Sequence, residues 1–104
     1  MEKNKYKIEI DGTKVNIALP EKVLGGSEAM EFSSLVHKHL NDDKINLLIL
    51  DLDNVEVMNS SGLGMLVAAY TSAKKIDKKI KFVNIPNKIM KLLEMTHLNQ
   101  VFLK

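Results

Sequence analysis

Two adjacent serines, Ser60 and Ser61, are the residues of this chain whose type and position best suit a chemical modification. They follow Asn59 and precede a Gly-Leu-Gly turn at positions 62–64, where an apolar helical pattern begins. Backbone N–H groups in the first turn of a helix lack intrahelical partners. The positive end of the helix dipole stabilises an anion there by up to about 2 kcal/mol. A phosphate adds roughly −1.5 to −2 charges at pH 7, so a phosphoserine here would change the surface and leave the fold intact.

The same residues also have an ordinary structural interpretation, which spacing alone favours. Serine is a common N-cap, and Ser60-Ser61-Gly62 would then be a cap and a turn. The Gly-Leu-Gly turn falls short of a phosphate-binding loop, because it lacks both the G-x-x-x-x-G-K-[ST] and the full G-x-G-x-x-G pattern. Nucleotide binding at this turn therefore has weak support from the sequence.

Other reactive side chains lack the spacing that catalysis or metal binding requires. His37 and His39 are two positions apart in a predicted helix, where side chains do not face each other. His97 has no nucleophile or carboxylate at a recognisable spacing, and Asp51 and Asp53 are too isolated to form an acid–base pair. The chain has no cysteine, which excludes disulfides, thiolate chemistry and cysteine-ligated metals. We therefore expect no catalytic residue, no metal site and no cofactor.

The composition is that of one globular domain spanning residues 1–104. Hydrophobic residues make up 45% and charged residues 27%, which excludes wholesale disorder. The net charge of +2 is too balanced to indicate nucleic-acid binding. Lysines are concentrated between positions 74 and 81, but no aromatic residue is interleaved to stack bases, so a solvated basic edge is favoured.

No segment of the sequence predicts insertion into a membrane. The longest apolar stretch, residues 45–52, is interrupted by Asn46 and Asp51 and is far shorter than the ~20 residues that span a bilayer. The first ten residues have no apolar signal core. We therefore expect a cytoplasmic protein.

Apolar spacing predicts the elements that position the serines. Alternation over residues 6–10 and 15–19, with Asp11-Gly12 between them, predicts a β-hairpin. The apolar run at 45–50 predicts a central strand covered on both faces, or nearly so, and 80–85 predicts a fourth strand. Three helices are expected, the first capped by Ser27 and the third with Pro86 in its first turn, and residues 101–103 predict a last short strand. The order β-β-α-β-α-β-α-β indicates an α/β fold with a small mixed β-sheet packed with helices.

Each predicted helix has an apolar stripe that is expected to face the core. The stripes comprise Ala29, Phe32, Val36 and Leu40; Leu63, Leu66, Val67, Tyr70 and Ala73; and Ile89, Leu92, Leu93 and Met95. Met65, Met90 and Met95 are expected to fill the core or its margin, whereas Met58 lies in the serine segment, where a flexible apolar side chain suits contact with a partner.

The segment 53–66, DNVEVMNSSGLGML, resembles the signature of the STAS domain family, the anti-sigma factor antagonists of bacteria. In that family a strand runs into a loop and an Asp-Ser-Ser/Thr-Gly-Leu-Gly turn that opens a helix. Residues 82–98 look like the family's fourth strand and following helix, so the resemblance extends over nearly the whole chain. It implies a STAS-like α/β domain.

The resemblance implies a protein that is not an enzyme and works by partner switching. Such an antagonist binds an anti-sigma factor that is also a serine/threonine kinase, and thereby releases a sigma factor. Phosphorylation of one serine ends the binding, and a phosphatase resets the switch. Carried over by position, the phosphoacceptor is Ser60, with Ser61 as second choice, and Asn59 stands where the family most often has Asp. The implied partner-binding residues are Met58, Asn59, Ser60, Ser61, Gly62, Leu63 and Gly64, with the exposed face of the second helix and the Gly25–Ser27 loop beside them.

Two other functions remain open within the same family. STAS-like domains also serve as constitutive accessory subunits of lipid-transport ATPases, in which case Ser60 would be a capping residue in a permanent interface. A nucleotide-sensing STAS module would instead bind GTP or ATP through the turn at residues 60–64. Phosphate on the chain would favour the antagonist, copurification with a transporter ATPase the subunit, and a thermal shift with nucleotide the sensor.

Overall fold

The computed structural model of this protein describes residues 6–103, which form ten elements in chain order. The strands and helices are β1 Lys7–Asp11, β2 Lys14–Ala18, β3 Lys22–Val23, α1 Ser27–Leu40, β4 Leu47–Asp51, β5 Val57–Met58, α2 Ser60–Lys75, β6 Lys79–Val83, α3 Asn87–Met95 and α4 Asn99–Phe102.

The main sheet is mixed and has the strand order β1-β2-β4-β6. β1 and β2 form the predicted antiparallel hairpin, and Gly12 supplies the positive φ of 63° that its tight turn requires. β2, β4 and β6 are parallel neighbours, with α1 and α2 as the crossover helices. The prediction of an α/β fold with a small mixed sheet and helices is confirmed.

The core lies on one face of this sheet. Leu48 and Leu50 of β4 are fully buried, while Leu47 and Ile49 on the opposite face are only half-buried. The prediction that β4 is covered on nearly both faces is therefore wrong for the second face. The apolar run of β4 reflects its central position, because neighbouring strands on both sides shield even the side chains of the more open face.

The helical stripes of α1 and α2 are confirmed in their main residues, but Val67 of α2 is 36% exposed, because it follows the buried Leu66 by one position and points about 100° away from it. The stripe of α3 is only partly correct. Ile89 and Leu93 are buried and Leu92 is half-buried, whereas Met95 is 77% exposed. Met95 follows Leu93 by two positions and so points about 200° away from it around the helix. The prediction that Met95 helps to fill the core is wrong for this reason.

The C-terminal apolar run forms a helix and not the predicted strand. The chain turns at His97, which has a φ of 64°, and α4 then brings Phe102 against the core. The Phe102 ring stacks on Phe82 at a centroid distance of 4.2 Å and lies 5.5 Å from Tyr70. A three-residue apolar run contains no periodicity that distinguishes a strand from a helix, so the packing of Phe102 decides the outcome.

Two helix starts differ from the predicted ones by one residue. α1 is capped by Gly26 and not by Ser27, and the Gly26 backbone adopts φ 67° and ψ −136°. Pro86 is the N-cap of α3 and not a residue of its first turn. Neither N-cap provides a side-chain hydrogen bond to its helix, so both helices depend mainly on the packing of their apolar faces.

Candidate functional site

The candidate site is the segment in which β5 passes through Asn59 into α2. Asn59 is the N-cap of α2, and its side-chain Oδ1 accepts a hydrogen bond from the Gly62 N–H at 2.8 Å. Its backbone carbonyl accepts the Leu63 N–H at 2.9 Å. Ser60 and Ser61 are the first helical residues, and both are exposed. The asparagine cap therefore fixes the helix start and leaves the serine side chains accessible.

A two-stranded parallel sheet, formed by β3 and β5, supports this segment. β5 pairs with β3 in the register Lys22↔Val57 and Val23↔Met58. The pairing extends backwards, because the Glu21 carbonyl accepts the N–H groups of residues 56 and 57 at 2.8 and 3.1 Å. The sequence analysis missed both strands, since two-residue strands have no periodic pattern.

Two glycines allow the surrounding backbone to approach the serines closely. A Cβ on Gly62 would collide with the carbonyl of Val23 in β3. A Cβ on Gly25, whose φ is +85°, would lie 2.6 Å from the Cβ of Ser61. The Gly25–Ser27 loop is thus adjacent to the serine pair, and Gly62 packs against the backbone of β3.

The predicted partner-binding residues do not all face solvent. Those exposed at the surface are Asn59, Ser60, Ser61 and Gly64, whereas Met58 is half-buried and Gly62 is buried. Leu63 is only 6% exposed and belongs to the core. Because its side chain points inward, Leu63 is not available for the apolar partner contact expected of it. The serine segment retains other exposed apolar neighbours, Val57 at 47% and Leu24 at 40%, which periodicity did not single out.

A groove with a volume of about 210 Å³ runs from the serine segment between α1 and α2. Its walls are formed by small and apolar residues, including Ala29, Phe32, Ser61, Gly64, Met65 and Ala68. At the other end, hydrogen bonds join the His37 ring to the hydroxyl groups of Ser33 at 3.3 Å and Ser72 at 3.2 Å. No sequence pattern predicts this link, because Ser72 is distant in the chain and hydroxyl contacts leave no periodic pattern.

His39 is a buried residue, and Asp51 connects two strand ends by hydrogen bonds. His39 is buried, and this burial, with a smaller contribution from nearby Lys38, lowers its pKa from 6.5. The Asp51 carboxylate accepts hydrogen bonds from the Asp53 N–H at 3.0 Å and from the Asn84 side chain at 3.1 Å. Asp51 therefore joins the carboxyl ends of β4 and β6. Within residues 6–103, no group of three or more His, Cys, Asp or Glu side chains is placed to hold a metal ion.

The protein is a small α/β domain in which crossover helices cover one face of a mixed sheet. Asn59 caps the second of these helices, and Ser60 and Ser61 are its exposed first residues. The STAS domain family model matches residues 10–104 of the sequence. The chain belongs to the STAS domain family.

Solved structures with the same fold include two states of one anti-sigma factor antagonist. Unphosphorylated SpoIIAA is 13% identical with a TM-score of 0.70, and the match covers 86% of this chain and 81% of that chain. The phosphorylated form of SpoIIAA, the Bacillus cell fate determinant, is 14% identical with a TM-score of 0.72 over 91% and 86% of the two chains. An anti-sigma factor antagonist from Mycobacterium paratuberculosis is 19% identical with a TM-score of 0.73 over 93% and 80%.

The same fold also occurs inside the much longer chain of an anion transporter. The murine anion transporter Slc26a9 is 17% identical with a TM-score of 0.70, and the match covers 84% of this chain but only 14% of the transporter. Among the helices in the described part of the present chain, none has the length and apolar character needed to cross a membrane.

Proposed function

We propose that this protein is an anti-sigma factor antagonist whose binding to an anti-sigma factor kinase is switched off by phosphorylation of Ser60. The observation that carries the proposal is the position of Ser60, which is exposed as the first residue of a helix capped by Asn59. Membership of the STAS domain family and the likeness in fold to anti-sigma factor antagonists support it.

Of the two serines, Ser60 suits a kinase better. The Gly25 backbone packs against the Cβ of Ser61, and Ser61 also lines the groove between α1 and α2. Neither contact involves Ser60. A kinase active site needs room around the acceptor hydroxyl, so Ser60 is the first choice and Ser61 the second.

The release step follows from charge and solvation. In the unphosphorylated protein, the surface around Ser60 offers Asn59, Gly64, Val57 and half-buried Met58 to a partner. A phosphate in that contact would have to lose its hydration, which is costly. The helix N-terminus accommodates the phosphate within the protein itself, so the fold persists while the complex dissociates.

The proposed activity is binding and not catalysis. The kinase supplies the ATP, a phosphatase removes the phosphate, and the antagonist acts in the cytoplasm without a cofactor. The Gly62 N–H is already bound by Asn59 and the Gly62 backbone packs on β3. The turn therefore offers little of the open N–H cradle that nucleotide phosphates need.

Mass spectrometry tests the proposal directly. The tagged protein would be used to purify its kinase partner from the native cell, and the pair would be incubated with ATP. We expect one phosphate on the antagonist, mapped to Ser60 by fragmentation and absent from Ser60→Ala but present in Ser61→Ala. Phosphate confined to Ser61 would move the site by one residue, and no phosphate on either serine would refute the switch.

The transporter-associated STAS domain is the second candidate, favoured by the fold of Slc26a9 and by Asn59 at the usual Asp position. In a constitutive accessory subunit, including one of a lipid-transport ATPase, the exposed serines would lie in a permanent interface. The same preparation distinguishes the two functions, because a stable complex with a transporter ATPase and no phosphate supports the subunit.

A further inference from the structure

A second groove lies between β5 and α3, beginning at Met58 and so only two residues before Ser60. Its volume is about 320 Å³, and it is lined on one side by Glu56, Val57 and Met58 and on the other by Lys88, Leu92 and Met95. Two residues of extended chain span at most about 7 Å, so the Met58 end of the groove lies near Ser60.

The α3 wall of the groove is built from a second stripe of that helix. Lys88, Leu92 and Met95 are spaced at i, i+4 and i+7 and share one flank, next to the buried stripe of Ile89 and Leu93. Met95 is 77% exposed and Val57, on the opposite wall, is 47% exposed. Leu92 packs partly against the core, whereas Met95 and Val57 are mostly outside it. Methionines suit surfaces that adapt to a bound side chain.

The positive charge of Lys88 on this wall does not stabilise α3. Lys88 lies in the first turn of α3, which contains no acidic residue. A cation at a helix N-terminus is unfavourable because it faces the positive end of the dipole. Lys91 is exposed on the same wall. Two lysines therefore flank an apolar groove, and the charge of Lys88 is unfavourable at its position in the helix.

We propose that the groove between β5 and α3 is a docking site for an apolar, acidic segment of the protein partner that acts on Ser60. An aliphatic or aromatic side chain of that segment would insert between Val57, Leu92 and Met95, and its flanking carboxylates would face Lys88 and Lys91. The inference rests on the proposed function, because it assigns the docking chemistry of the same partner.

A protein segment fits this groove better than a membrane surface does. The groove is concave, which suits an inserted side chain, whereas a lipid surface is bound by a broad amphipathic face rich in cations. Only two lysines line the groove, both on the α3 wall and opposite Glu56 of the β5 wall, whereas a surface that binds anionic lipids presents about four to eight clustered cations.

The acidic character of the segment also links docking to the switch. A phosphate on Ser60 would stand within about one Debye length of the near end of the groove, since that length is about 8 Å at physiological ionic strength. The negative charge would repel the docked carboxylates and weaken the complex. Docking and phosphorylation would then oppose each other through the same electrostatic contact.

Paired variants test the docking site with the purified partner. The dissociation constant would be measured by calorimetry for Lys88→Glu/Lys91→Glu, and for Lys14→Glu/Lys81→Glu, which makes the same charge change at exposed strand positions outside the groove. Met95→Ser would be compared with Met30→Ser, because these methionines are 77% and 75% exposed. We expect the two groove variants to weaken binding about tenfold or more, and the controls to stay within about twofold.

The outcomes separate the docking site from the proposed function. Phosphate on Ser60 with normal binding by both groove variants would overturn the docking site and leave the switch intact. Selective loss of binding without any phosphate would support the docking site and refute the switch. Equal losses in groove and control variants would overturn the docking site. So would binding of the wild type to phosphatidylglycerol vesicles that Lys88→Glu/Lys91→Glu abolishes while partner binding is unchanged.

Discussion

The starts of α1 and α2 lie side by side and are built in different ways. α2 begins at Asn59, whose side chain accepts a hydrogen bond from the helix. α1 begins at Gly26, which offers no side-chain cap. Gly25, just before it, packs against Ser61. The helix that carries the candidate site is therefore capped by a side chain. The other helix is preceded by glycines, and Gly25 has no side chain that would keep its backbone away from Ser61.

The two helices are also stabilised at opposite ends. The Nζ of Lys78 donates hydrogen bonds to the carbonyls of Leu40 at 2.7 Å and Asp42 at 2.9 Å, which satisfies groups at the C-terminal end of α1. α2 is instead held at its start by Asn59 and by the contact of Gly62 with β3. The start of α2 is thus held by contacts within the chain itself, so the phosphorylation that we propose would act on a surface formed without a partner.

Of the substitutions considered, replacement of Gly62 at the start of α2 should lower the stability of the protein most. In Gly62→Ala the new methyl group would collide with the Val23 backbone, and we expect the free energy of unfolding to fall by about 3 kcal/mol. Gly64→Ala is the matched control, because a Cβ there meets nothing within 4 Å and alanine should stabilise the helix by about 0.5–1 kcal/mol. Urea unfolding of both variants measures the difference, and equal effects would contradict the role given to Gly62.

Alanine should destabilise the protein more at Gly25 than at Gly26, the two glycines before α1. A Cβ on Gly26 meets no neighbouring atom, but its φ of 67° and ψ of −136° are unfavourable for alanine, so Gly26→Ala should cost about 1–3 kcal/mol. Gly25→Ala combines a φ of +85° with a Cβ 2.6 Å from that of Ser61, so its cost should be larger by about 1 kcal/mol. Denaturant unfolding compares the two variants, and a Gly25→Ala protein no less stable than Gly26→Ala would show that the loop does not press on Ser61.

The side-chain cap of α2 predicts a smaller loss. Asn59→Ala removes the acceptor of the Gly62 N–H and should lower the free energy of unfolding by about 1 kcal/mol. Asn59→Asp keeps the acceptor and adds a negative charge near the helix N-terminus, so it should be at least as stable as the wild type. Thermal unfolding at low salt checks the order Asp, Asn, Ala, and any other order would contradict the capping role.

The smallest predicted effect concerns pH and the C-terminal end of α1. Burial lowers the pKa of His39 below 6.5 in the folded protein, so the unfolded chain binds the proton more readily. Stability should therefore be complete above pH 6.5 and should be lost as the pH falls from 6.5 towards the lower folded-state pKa. Urea unfolding at about pH 7.5 and about pH 5.5 measures this loss, and His39→Gln should reduce it because His37 and His97 remain as the common background. An unchanged pH dependence in His39→Gln would contradict the prediction.

The sequence predicted long, periodic elements well and short ones poorly. The hairpin, the central β4 and the three principal helices are where apolar spacing indicated them. The strands β3 and β5 and the helix α4 were missed or misassigned, because two to four residues contain less than one full period. Their conformations depend on tertiary contacts, such as the stacking of Phe102 on Phe82.

The candidate site was predicted by motif, and its surface was not. The spacing of Asn59, Ser60 and Ser61 correctly indicated a helix start, but the interpretation of a serine as its cap is wrong, because the Asn59 side chain accepts the Gly62 N–H and both serines lie inside the helix. The exposure of neighbouring side chains was predicted wrongly in two cases, because Leu63, expected to contact a partner, is buried, and Met95, expected in the core, is exposed. Side-chain direction depends on helix rotation against the sheet, and packing of the whole core determines that rotation.

By itself, the amino-acid sequence determined the class of the domain, its main elements and the position of the serine pair. These features depend on local periodicity and on a contiguous motif, both of which are present in the chain before it folds. The tertiary structure alone decided that Gly25 and β3 pack against the serine segment and that β5 and α3 enclose a second groove. Those contacts join residues far apart in the chain, and a linear pattern contains no information about which distant backbones will meet.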